Sequence, residues 1–202
     1  MKKMIFAGAV AAFTIATVAF KPAETKGKEY VIDTQKTTAA WEATKVTGKH
    51  NGALTISKGT INYDGKVITG GEFEFDMNSI TCADLTDKEW NDKLIGHLKS
   101  DDFFSVAKFQ TAKFQITSVK QKSGDNYDVT GKLTIKGITH DITFPAVIKA
   151  TENALVTVAK ITVNRTLYDI KYGSASFFES IGDKAISDNF DLQVKVTAFP
   201  KK

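Results

Sequence analysis

The sequence predicts an all-β fold, with eight or nine antiparallel strands closed into a barrel or stacked as a sandwich and one amphipathic helix inserted between two of them. Three observations predict it. Apolar and polar residues alternate at period two through most of the chain beyond residue 28, as in strands that show one face to water and the other to an interior. Turn signals fall between the alternating runs: Asp64-Gly65, Gly70-Gly71, Ser123-Gly124-Asp125-Asn126 and Lys136-Gly137. One segment alone switches to helical spacing.

The first residues read as an export signal. Lys2 and Lys3 precede an uncharged run from Met4 to Phe20 that is short for a membrane span, and Thr17-Val18-Ala19 offers small residues for cleavage after Ala19. Residues 1–19 are therefore expected to be a signal peptide, 20–28 a linker and 29–202 a single domain. The strands are expected near 29–33, 38–49, 52–63, 66–80, 109–120, 126–136, 138–149, 154–164 and 188–199. Phe73, Phe75 and Met77 share one face of their strand; Val129, Leu133 and Ile135 share another, as do Phe190, Leu192, Val194 and Val196. Pro145 lies inside a strand pattern without an N–H to donate, so a bulge or an unpaired edge is expected there. Thr86-Asp87-Lys88-Glu89 has the form of a capping box with Thr86 as N-cap. Trp90, Leu94 and Leu98 follow at spacings of four, predicting a helix over 87–99 with those three on its apolar face. Tyr172 to Ile186 is irregular, with room for a short helical turn.

Composition bounds the function. At 202 residues, 42% hydrophobic and 25% charged, the chain suits one globular domain and neither a polytopic membrane protein nor a disordered tail. A lone cysteine, Cys82, rules out a disulfide framework and reads as a small buried hydrophobe before a free thiol. Loss of Lys2 and Lys3 with the leader lowers the net charge from +4 to +2. Basic residues are interleaved with acidic ones and Arg165 is the single arginine, which argues against nucleic-acid binding. No P-loop, GxGxxG or GxSxG is present. His50, His97 and His140 are too far apart for a local metal pair, so no metal is expected from spacing and only a site assembled in the fold stays open.

Three stretches, taken in order, resemble a known family. They are His97-Leu98-Lys99-Ser100-Asp101-Asp102-Phe103-Phe104 with Lys108-Phe109 and Phe114; Gly131 to Thr139; and Asn164-Arg165-Thr166-Leu167-Tyr168 with Gly182-Asp183 and the closing strand. No one of them is specific, but the ordered set at these spacings resembles the YceI-like family of exported, lipocalin-like proteins that bind polyisoprenoid lipids. The resemblance spans about 29–199. It implies an eight-stranded antiparallel lipocalin-like barrel with a helix near its mouth, and a lumen that holds an isoprenoid tail such as a quinone or polyprenyl phosphate. The chain departs from the family's pattern at Tyr168 and in a longer Ser174–Ser180 segment, both of which bear on the shape of the mouth.

The candidate ligand-binding residues of lumen and rim are Phe73, Phe75, Leu98, Phe103, Phe104, Phe114, Leu133, Phe144, Phe177, Phe178 and Phe190, with Met77, Ile135 and Leu192 as further interior residues. Phe103-Phe104 and Phe177-Phe178 lie outside strands, where aromatics have less sheet to pack on and can close over a ligand. Arg165 suits either a polar head group or a structural ion pair with Asp101, Asp102 or Asp183. His97, late in the helix, is placed with it as a head-group or capping residue. His140 shares the parity of Ile142 and Phe144 and reads as a satisfied interior or mouth histidine. Burial alone gives about 0.8 kcal/mol per methylene, or roughly 12 kcal/mol gross for a 15-carbon tail, so tight binding needs no charged contact.

The expected function is that of a periplasmic or secreted carrier of a long-chain apolar lipid. It needs no cofactor and does not insert stably in a membrane after signal cleavage; a homodimer stays open. Two other classes compete: an envelope stress or interaction protein with a filled barrel, and an enzyme acting on a lipid with His97 or His140 as base.

Overall fold

A computed structural model describes residues 27–179 and 181–202; the expected signal peptide, 1–19, and nearly all of the expected linker lie outside the described residues. The strands are β1 (Lys28–Ile32), β2 (Thr38–Lys45), β3 (Gly48–Tyr63), β4 (Ile68–Asp76), β5 (Thr111–Ser123), β6 (Asn126–Ile135), β7 (Ile138–Ala150), β8 (Leu155–Asn164) and β9 (Ile186–Pro200), with one helix, α1 (Lys88–Lys99), between β4 and β5. Each pairs antiparallel with its neighbour from β2 to β9, and β9 returns to β2, which closes the ring. Closure leaves no exposed edge, the physical reason a meander of this length curls rather than lying open.

Nine strands make eight staves. β2 pairs with Gly48–Leu54 of β3 and Ile186–Lys195 of β9, while β1 pairs with Thr60–Tyr63 of β3 and Ala198–Pro200 of β9. β1 and β2 are thus two lengths of one stave. The break at residues 33–37 is capped by Asp33, whose carboxylate accepts from the Gln35 and Lys36 N–H groups. The hairpin between β2 and β3 turns at Val46-Thr47, earlier than the expected boundary near residue 50.

The alternation sets which residues point inward. Phe75, Val129, Leu133, Ile135, Phe144, Ala159, Ile161, Leu192, Val194 and Val196 are buried in one continuous core. Pro145 pairs with Asp128 on the β6 side, and pairing to β8 begins only at Ala146, so Pro145 stands where the second neighbour stops. Its missing N–H costs no ladder bond there. Tyr30 closes the far end of the barrel, its hydroxyl donating to the carbonyls of Thr151 and Glu152 in the β7–β8 turn.

The helix differs from expectation in two ways. Its N-cap is Asp87, not Thr86: the Asp87 carboxylate accepts from the Trp90 N–H, and Glu89 pairs with Lys93 one turn on instead of reaching back. Trp90 does not lie on the buried face; it is 62% exposed, with the Lys93 ammonium 4.5 Å from its ring. A ladder at spacing four drifts by about 40° per step on a helix of 3.6 residues per turn. The face that packs on the barrel therefore runs through Ile95 and Leu98, with Asn91 donating its amide to the Cys82 and Leu85 carbonyls.

The segment leading into the helix is tied down across the end of β3. The Thr81 N–H donates to Ala53, the Ala83 N–H to Asn51, and the Trp41 indole to the Thr81 carbonyl. Gly52 makes this approach feasible, because a Cβ there would sit 1.8 Å from the Thr81 carbonyl oxygen. Backbone faces backbone, so no rotamer change relieves the clash. Gly52→Ala is expected to dislodge residues 81–84 and lower stability by about 2–3 kcal/mol, read as a shift in urea midpoint.

Candidate functional site

The barrel interior holds two apolar cavities in series. The inner one, about 70 Å³, lies toward the Tyr30 end and is bounded by Phe73, Phe114, Phe144 and the aliphatic residues of the surrounding strands. The outer one, about 90 Å³, lies under α1 and is bounded by Trp41, Leu98, Phe103, Phe104, Arg165 and Phe190. Phe75, Leu133 and Leu192 border both, so one row of side chains separates them. Carbon lines both almost throughout. Such space stays dry, because a water there would lack partners. A long chain can occupy both only if the dividing side chains turn aside.

The aromatic lining forms two groups, one on each cavity. Phe114 stacks with Phe73 at 6.4 Å and tilts against Phe144 at 5.5 Å, and Phe104 meets Phe190 edge to face at 6.3 Å. Gly131 gives Phe114 its room, since a Cβ at that position would lie 2.4 Å from the ring. Of the sequence candidates, Phe73, Phe75, Leu98, Phe103, Phe104, Phe114, Leu133, Phe144 and Phe190 are brought together around the two cavities. Phe103 is buried rather than a loose lip.

Phe177 and Phe178 do not join them. Each is 50% exposed, neither lines a cavity, and the Lys171 ammonium stands 5.2 Å from the Phe177 ring. The physical reason is local. Ser174 is fully buried and its carbonyl accepts from both the Phe177 and the Phe178 N–H groups, which turns that loop away from the lumen.

Arg165 is 4% exposed, at the start of a 3₁₀ turn that follows β8. Its guanidinium donates to four backbone carbonyls: Ser187 at 2.9 Å, Ile170 at 2.8 Å, Tyr172 at 2.8 Å and Ile186 at 3.1 Å. The carboxylate beside it is that of Asp188, at 3.8 Å, not Asp101, Asp102 or Asp183. Burial pushes the guanidinium below its ordinary range and Asp188 opposes that. The Ser174 and Ser176 hydroxyls and then the guanidinium hold Asp188 below the usual carboxylate range. Of the two hydroxyls, Ser176 is the one at hydrogen-bond geometry, at 2.5 Å from Oδ2, while the buried Asp188 Oδ1 has only the guanidinium beside it and no hydrogen bond. Nearly all of the Arg165 fork is thus committed to tying β8, β9 and the 170–172 segment together, and little of it remains for a ligand.

His97 lies in the last turn of α1, with Nε2 3.0 Å from the Asp102 carboxylate and its ring against Phe103 and Tyr172. It borders neither cavity. His140 sits half-buried at the mouth, Nε2 2.9 Å from the Leu167 carbonyl and its ring edge-on to Tyr168. Among the described residues, neither histidine hydrogen-bonds a hydroxyl or thiol that could serve as a nucleophile. Cys82 is half-buried, not fully buried as the sequence suggested, because residues 81–84 cross the barrel end rather than enter it.

Sequence reasoning missed Trp41, Leu54, Ile80, Ile170 and Ile186, all on the outer cavity. Strand parity in β2 and β3 carries a signal for the first two. Ile80 and Ile170 sit in connecting segments and Ile186 is the first residue of β9, at the end of the stretch expected to be irregular; only the closing of the mouth brings them in.

Comparison with known proteins places this site in a wider set. A family model described as a YceI-like domain matches residues 30–198. A UPF0312 protein of Shewanella denitrificans is 31% identical over 152 residues, covering 72% of this chain and 73% of its own. Protein YceI of Salmonella newport is 33% identical over 137 residues, covering 66% and 69%. Among solved structures, BcnA of Burkholderia cenocepacia superposes with a TM-score of 0.65 at 20% identity, over 82% of this chain and 98% of that one. A polyisoprenoid binding domain from Saccharophagus degradans, implicated in plant cell wall breakdown, gives 0.63 at 14% identity, over 85% and 98%. These structures share the barrel.

Proposed function

The chain belongs to the YceI-like family, and from that premise we propose that it is an exported carrier that holds a polyisoprenoid or similar long apolar molecule, such as a quinone, in the barrel lumen. One observation carries the reading: two carbon-lined cavities in series, parted only by Phe75, Leu133 and Leu192. A linear apolar tail is the ligand shape that such a lumen accepts. Binding is noncovalent and driven by burial, at about 0.8 kcal/mol per methylene before the cost of immobilisation. With most Arg165 donors spent on backbone carbonyls, this side chain has little left for a head group. The description of the Saccharophagus degradans relative as a polyisoprenoid binding domain supports this ligand class. The uncharged run from Met4 to Phe20 supports export to the periplasm or beyond.

Native mass spectrometry of gently purified protein, before and after exposure to prenyl alcohols and quinones of graded length, tests the proposal. A mass increment matching one lipid per chain is expected. A protein that carries no lipid and cannot be loaded with any overturns it. The narrowness of the cavities, about 70 and 90 Å³, favours a second reading, an envelope interaction protein whose barrel stays closed, and the same experiment separates the two.

A further inference from the structure

Outside the lumen, the fold assembles a set of side chains that no local spacing announces. His50 comes from β3, and Cys82 and Asp84 from the segment that crosses its end. One ligand atom from each lies within 4.8 Å of the others. His50 Nδ1 is 2.8 Å from Asp84 Oδ2, and Cys82 Sγ is 3.3 Å from Asp84 Oδ1. We propose that His50, Cys82 and Asp84 form a binding site for a borderline-soft divalent metal ion, zinc first, with water in the fourth position.

The ligand types carry the choice of ion. A thiolate and an imidazole beside one carboxylate suit Zn²⁺, whereas Mg²⁺ and Ca²⁺ take sets of oxygen ligands. Tetrahedral bonds of about 2.0–2.3 Å put neighbouring ligand atoms about 3.3–3.8 Å apart. His50 Nδ1 and Asp84 Oδ2, 2.8 Å apart, need a small expansion to reach that spacing, and Cys82 Sγ, 3.3 Å from the other Asp84 oxygen and in a set whose ligand atoms all lie within 4.8 Å of one another, needs at most a shift of about an ångström. None of the three residues borders either lumen cavity, and all are accessible enough for an ion to reach them.

The frame is built before any ion arrives. The Asn51 N–H donates to Asp84 Oδ1 at 2.9 Å, which orients the carboxylate and leaves Oδ2 toward His50. Residues 81 and 83 are bonded to Ala53 and Asn51 of β3, the Trp41 indole holds the Thr81 carbonyl, and the Asn91 amide holds the Cys82 and Leu85 carbonyls. Supporting bonds of this kind fix ligand geometry. Coordination displaces the thiol proton of Cys82 to solvent; Nδ1 of a neutral His50 ring, which donates to the Asp84 carboxylate before the ion binds, becomes a ligand as the ring proton moves to Nε2, where it stays. The balance is one proton released per ion bound.

The test is titration of the chelator-treated mature chain with Zn²⁺ and, separately, Co²⁺. One ion per chain, one proton released, and a thiolate-to-cobalt charge-transfer band in the near ultraviolet are expected. Cys82→Ser should remove the band. Cys82→Ser, His50→Gln and Asp84→Asn should each weaken Zn²⁺ binding by at least the roughly 10–100-fold typical of losing even a supporting group. Failure of the wild-type chain to bind one ion overturns the proposal, and so does a cobalt band that survives Cys82→Ser. The first of these outcomes would mean that the three side chains are only a hydrogen-bonded cluster. Neither outcome bears on lipid loading, which uses different residues.

Discussion

Arg165→Ala is expected to lower the stability of the folded chain by about 3–5 kcal/mol, the range for removing one partner from a buried charged network. The reason lies in what is left behind. Four carbonyl oxygens, those of Ile170, Tyr172, Ile186 and Ser187, lose their donor together, and the Asp188 carboxylate loses the cation beside it. Each buried acceptor left unmade costs about 1–3 kcal/mol, eased where water reaches it. Arg165→Lys should recover only part of the loss, because an ammonium is a point charge and cannot span carbonyls arranged around a planar fork. Urea denaturation followed by tryptophan fluorescence reads both variants. Lipid affinity, measured on the folded fraction, should change little in Arg165→Lys. A lysine variant that melts like the parent yet loses lipid would instead place the head group on this side chain.

Blocking the lumen should abolish loading while sparing the fold. Ala159 borders the inner cavity and Ala112 the outer one, and both are buried. A phenyl ring in place of either methyl fills most of a 70–90 Å³ space. If Ala112→Phe or Ala159→Phe denies five carbons to a tail, about 4 kcal/mol of burial is lost, or on the order of a thousandfold in affinity. Overpacking itself costs about 1–3 kcal/mol of stability, so the variants should remain folded by circular dichroism and melt a few degrees lower. Ala112→Phe should exclude all tails, because it stands on the α1 side. Ala159→Phe should still admit short ones. Equal loading of both variants and the parent, by native mass spectrometry, would remove the lumen as the binding site.

Much of this was legible in the sequence because a strand's side-chain period is two. Phe73, Phe75, Leu133, Phe144 and Phe190 are on the lumen face because their parity left no other choice in a closed sheet. The helix was legible from its spacing, although Trp90 was misplaced by the drift of a four-residue ladder. Phe177-Phe178 lies off the lumen for a different reason. Composition says that an aromatic pair in a loop needs a partner, but not on which side of the loop it lies. That was decided by burial of Ser174 and two backbone hydrogen bonds to its carbonyl.

By itself, then, the sequence determined the all-β class, the inward and outward faces, the place of the one helix and the resemblance that names the family. These depend on residues close together in the chain, or on their order. Only the tertiary structure decided that β1 and β2 share a stave, that Arg165 spends its fork on the carbonyls of Ile170, Tyr172, Ile186 and Ser187, and that His50 meets Cys82 and Asp84. Each of these joins groups from separate segments, and their distances are set by barrel closure and by how segments cross its ends. Local periodicity carries no information about either.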